Sequence, residues 1–110
     1  MGFQLRLARN RYTEVVKSMI NRKEQFQVPE ISRFYGIVIK MFFKPKEHEP
    51  SHIHALYGEY IGCFNLKTLE MFEGDLPNKG QELVREWMAL HQDELQEMWD
   101  TQKIVKLPPL

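Results

Sequence analysis

The chain has 110 residues, 43% of them hydrophobic and 12% aromatic, which is enough apolar material for one compact core and leaves no expectation of a second domain. Fifteen basic residues balance fifteen acidic ones, so net charge marks the chain for neither nucleic acid nor a membrane surface. A single cysteine, Cys63, excludes an internal disulfide, and with no secretory leader pattern and no apolar run of about eighteen residues the expected home is the cytoplasm, without a membrane partner.

The charge is unevenly spread. Residues 1–50 hold ten basic and five acidic side chains, and residues 51–110 hold five basic and ten acidic. A chain so divided can pair with itself as a homo-oligomer, bind a polyanion through its first half, or neutralise itself across the fold.

Residues 1–28 read as a basic arm followed by an amphipathic helix. Arg6, Arg9 and Arg11 lie in or beside the arm, and Tyr12, Val15, Val16, Met19 and Ile20 recur at helical spacing. Pro29 closes that helix, because a proline pushes the residue before it towards extended backbone. Residues 29–110 then form the expected single α+β domain. ISRFYGIVIKMFF, residues 31–43, is rich in β-branched and aromatic side chains. Lys44, Pro45, Lys46 and Pro50 interrupt any ladder, and a loop follows.

HIHALYG and YIGCFNL alternate on either side of Gly58-Glu59, where glycine in the first central position suits a type II′ turn. LEMFEG completes an antiparallel meander of about four strands. Asn78 with Gln81 has the spacing of a capping box behind Pro77. From there Val84, Trp87, His91, Leu95 and Met98 follow helical spacing in one long helix or in two joined near His91. Trp87 and Trp99 are expected core anchors, and the tail IVKLPPL offers an edge strand.

Three of the four histidines fall within HEPSHIHALYGEY, residues 48–60. Residues two apart on a strand share a face, so His52, His54 and Leu56 point one way and Ile53, Ala55 and Tyr57 point towards the core. The turn fixes an expected register: Tyr57 with Tyr60, Leu56 with Ile61, Ala55 with Gly62, His54 with Cys63, Ile53 with Phe64 and His52 with Asn65. That register gathers His52, His54, Cys63 and Asn65 into a polar cluster.

Three chemistries compete for the cluster. His52 and His54, about 6 to 7 Å apart along a strand, would act as acid and base on a phosphodiester of RNA, with Arg33, Lys40 or Lys46 holding phosphate. As a metal site, His48, His52 and His54 would take a divalent ion such as zinc, with Cys63 or Glu59 as fourth ligand, although no paired CxxC or HExxH motif accompanies them. The third reading makes them packing and hydrogen-bonding residues with no cofactor. Glu73 and Asp75 in FEGDLP are a further carboxylate pair, equally at home beside a helix N-terminus. His91 reads as a satisfied, partly buried side chain, and Cys63 as a small apolar residue of the sheet.

From about Pro29 to Leu107 the chain resembles a family of small bacterial proteins, the domain of unknown function number 4160. The likeness rests on His48, Pro50, His52, His54, Ala55, Tyr57, Gly58 and Glu59, with support from the ISRFYGIVIKMFF run, the FEGDLP turn and WMALHQDELQEMW. Two positions depart from the family pattern: Ser51 stands where a second proline is usual, and Leu69 where glycine is common. Residues 1–28 have no counterpart in most members. The resemblance implies a partner, a cognate small protein encoded nearby in the manner of toxin-antitoxin pairs, and it makes both an RNA-directed activity and plain protein-protein binding reasonable expectations.

Overall fold

A computed structural model of the chain describes residues 29–42 and 50–110. The helix expected in residues 1–28, together with Lys46 and His48, lies outside the described residues.

Five strands form one antiparallel meander in the order β1 (Glu30–Phe34), β2 (Ile37–Lys40), β3 (His52–Tyr57), β4 (Tyr60–Asn65) and β5 (Met71–Gly74). The expectation of about four strands is corrected to five because ISRFYGIVIKMFF is two strands joined by a tight turn. Tyr35 at φ 50 and Gly36 at φ 81 supply the two positive φ values that a two-residue hairpin of the I′ kind requires. Tyrosine is a strand former, so Tyr35-Gly36 reads from the sequence as strand interior.

The β3–β4 ladder has all six expected pairs, from His52 with Asn65 to Tyr57 with Tyr60. Gly58 has φ 59 while Glu59 stays out of the positive region, as a II′ turn demands. A register shift between Cys63 and Phe64 bends the last pairing, and Gly74 has φ 119. A Cβ at Gly74 would fall 2.3 Å from the Ile61 carbonyl oxygen, so the close approach of β5 to β4 admits only glycine there.

Two helices follow, α1 (Asn78–Leu90) and α2 (Gln92–Thr101), separated by His91 at φ −127 and ψ 22. The expected capping box does not form. Pro77 occupies the N-cap, Asn78 begins the helix, and the Gln81 side-chain amide donates to the Leu76 carbonyl at 2.7 Å. The helices cover one sheet face. Ile37, Ile39, Ile53, Ala55 and Phe64 pack there against Val84, Trp87, Met88, Leu95, Met98 and Trp99 in a single buried cluster. Both tryptophans are core anchors as expected, and the Trp87 indole N–H donates to the Pro108 carbonyl at 2.8 Å. The C-terminal tail forms no strand, but the Leu107 N–H donates to the Ile31 carbonyl at 2.9 Å and lays the tail along β1.

Candidate functional site

The sheet brings the histidine pair together. Their imidazole centroids are 5.1 Å apart, with the rings at 70° to one another. Both rings are enclosed: His54 has no exposed surface and His52 only 3%. The Phe42 ring lies 4.3 Å from His54 between centroids, and Phe72 and Trp99 lie 5.5 and 5.1 Å from His52. His52 Nδ1 sits 2.6 Å from the Pro50 carbonyl, which only accepts, so Nδ1 carries the proton in that bond. His54 Nδ1 lies 3.4 Å from the buried Cys63 Sγ. The structure sets the two imidazoles side by side, as an acid-base pair requires, and holds both of them buried.

Asn65 pairs with His52 in register but turns away from the cluster. Its Oδ1 accepts from the Lys67 and Thr68 N–H groups at 2.7 and 3.2 Å and so orders the 65–69 turn. In that turn Leu69 adopts φ 64, a conformation glycine takes without strain. Among the described residues no group of three or more His, Cys, Asp or Glu is arranged to hold a metal ion. Asp75 is spent on structure: its Oδ1 accepts from the Ile61 N–H at 2.9 Å. His91 is satisfied by Glu94 at 2.9 Å and packs 5.0 Å from Trp87 between ring centroids.

Arg33 and Lys40 come to the histidine face. Lys40 pairs with His54 in register, and Arg33 pairs with Val38, which in turn faces Leu56. Arg33 already grips Glu30 through two bonds, Nη2 to Oε1 at 2.8 Å and Nε to Oε2 at 3.2 Å. This hydrogen-bonded guanidinium holds the Glu30 carboxyl below its ordinary range despite slight desolvation, and the charges of Arg33, Lys106 and Lys40 act the same way. Lys106 arrives by the tail contact, beside Leu107 on Ile31. Three cations therefore surround one carboxylate at this end of β1 and β2.

The opposite end of the sheet has the reverse character. Both two-residue turns lie there, and three tyrosines stand out from them: Tyr35 is 69% exposed, Tyr57 43% and Tyr60 45%. The Tyr57 and Tyr60 rings are stacked, 6.4 Å between centroids and 14° from parallel. Gly36 lets the Tyr57 ring lie close, since a Cβ there would come within 3.2 Å of it. Glu59 is the sole charge in residues 34–37 and 56–61. Sequence reasoning paired Tyr57 with Tyr60 but missed the patch, because Tyr35 joins it only through the β2–β3 pairing.

A family model described as Domain of unknown function (DUF4160) matches residues 36–100, more than half of the chain. No curated protein and no solved structure matches it.

Proposed function

The chain belongs to this family of domains of unknown function, and from that premise we propose that it is a non-catalytic protein-protein interaction module whose partner is a small protein encoded beside it, in the manner of a toxin-antitoxin pair. One observation carries the reading: Tyr35, Tyr57 and Tyr60 are exposed on two braced hairpin turns while the histidine pair is enclosed. Tyrosine supplies large, stiff contact area at little entropic cost, and aromatic residues are enriched at interface hot spots. The supported part is a rigid sheet end. The Tyr57 ring is held over Gly36 and against Tyr60, so little ordering remains to oppose binding.

Calorimetric titration of the neighbouring small protein into the wild type and into Tyr57→Ser tests this. A loss of at least about tenfold in affinity is expected. Unchanged affinity in a variant that melts normally would end the proposal.

A second reading, RNA binding, is favoured by the grouping of Arg33, Lys40 and Lys106 around Glu30. Here RNA is held and not cut, with the buried imidazoles bracing β3 beneath Lys40. Three phosphates neutralised on a single strand give a slope of about −2 in log affinity against log salt. Fluorescence anisotropy with a labelled single-stranded RNA measures it, and Lys40→Ala should lower the slope by about 0.7. Salt-independent binding would refute it. RNA cleavage by the wild type that folded His52→Leu and His54→Leu variants each lose would instead establish His52 and His54 as catalytic.

A further inference from the structure

We infer that the tyrosine end of the sheet receives an arginine-bearing extended segment of the partner protein. The inference rests on that surface being the binding surface, and it adds the chemistry of the occupant.

Charge decides the class of ligand. Glu59 lies between the two stacked tyrosines in sequence, and Asp75, exposed and bonded to the Ile61 N–H, lies beside Tyr60. The nearby cation Lys79 in the first turn of α1 is paired with Glu82 at 3.8 Å. Among the described residues a polyanion meets these two carboxylates here, whereas a cation is drawn in. The aromatic faces narrow the class further. A guanidinium is planar and weakly hydrated, stacks on an aromatic ring, and still donates in plane to a carboxylate, so one arginine satisfies a tyrosine face and Glu59 together. An ammonium offers only a point charge. Prolines flanking the arginine suit the same surface, because preformed extended segments dock on exposed aromatics at low entropic cost.

Tyr35 adds an argument of its own. Its φ of 50 belongs to a turn position that asparagine, aspartate or glycine fills most readily. A sequence selected only to make this turn has no need of an exposed tyrosine there. A contact with a ligand accounts for it.

Nuclear magnetic resonance of the full isotopically labelled chain tests the inference. The probes are a short peptide containing arginine and proline, its lysine and glutamate counterparts, and a single-stranded RNA oligomer. The arginine peptide should shift the amides of Gly36, Tyr57, Gly58 and Glu59. The lysine peptide should bind about threefold or more weakly, and the glutamate peptide and RNA should leave those amides unmoved. Glu59→Gln should weaken the arginine peptide by about threefold or more, and Tyr60→Ser should do so further, while Tyr57→Phe, which keeps the ring, preserves binding. Equal response to the arginine and glutamate peptides, response of these amides to RNA, or silence towards the arginine peptide overturns the inference. If the neighbouring protein needs the tyrosines while the arginine peptide is silent, only the occupant's chemistry is refuted. If its affinity ignores the tyrosines, the underlying function falls.

Discussion

Replacing His54 by alanine separates a packed histidine from a working one. In the structure the imidazole has no exposed surface, packs tilted against Phe42 with centroids 4.3 Å apart, and meets His52 at 5.1 Å and the Cys63 thiol at 3.4 Å. Truncation removes the ring and leaves a hole between β2, β3 and β4. Core truncations of leucine or phenylalanine cost about 2–5 kcal/mol, and imidazole is smaller and more polar than either, so about 2–3 kcal/mol is expected. For a domain of this size that lowers the melting temperature by roughly 10–20 °C. Urea denaturation followed by tryptophan fluorescence measures the loss, since Trp99 lies 5.1 Å from His52. His54→Leu, which refills the space, should recover part of it. A histidine held open for catalysis would be removed at almost no cost in stability. A change in the urea midpoint worth less than about 0.5 kcal/mol would therefore refute the packing argument.

Two glycines with positive φ should respond very differently to alanine. Gly58 has open space around it, so Gly58→Ala carries only the left-handed backbone cost of about 1–2 kcal/mol, whereas Gly74→Ala drives a Cβ onto the Ile61 carbonyl and should cost on the order of 4 kcal/mol or more. Equal urea midpoints for the two would contradict the β4–β5 geometry. Glu30→Gln tests the charged end: because the carboxyl is depressed in the folded state, its contribution is present above the ordinary carboxylate range and fades as pH falls through its folded value. The pair is exposed, so the variant should lose only a few tenths of a kcal/mol at pH 7, and the two chains should converge in stability in acid. The same variant frees Arg33 and should tighten RNA binding at low salt if that reading holds. A gap in stability that widens in acid would reverse the sign of the argument.

The β3–β4 hairpin was legible to the residue because Gly58 and strict alternation on both sides leave one register that buries Ile53, Ala55 and Phe64 together. The same logic left the other face open between catalysis, metal binding and packing. Alternation separates His52 and His54 from the core, but it carries no information about whether a second layer encloses them, and Phe42, Phe72 and Trp99 come from three separate parts of the chain. The β1–β2 turn was hidden by tyrosine in a position that glycine or asparagine usually announces. Lys106 joins Glu30 only because the tail folds back on β1, a long-range contact with no periodic signature. The helical stripe was read correctly, and its division at His91 follows from a backbone angle rather than from a proline or glycine. Asn78 matched the capping pattern, yet Pro77 took the cap because its ψ of 156 already gives the extended entry that the position needs.

Amide hydrogen exchange of the chain, alone and saturated with the proposed partner protein, most directly tests where this molecule acts. Added protection should fall on residues 35–37 and 57–61, at the two tyrosine turns. Protection confined to the helices α1 and α2, or to β1 and the tail near Lys106, would contradict the account.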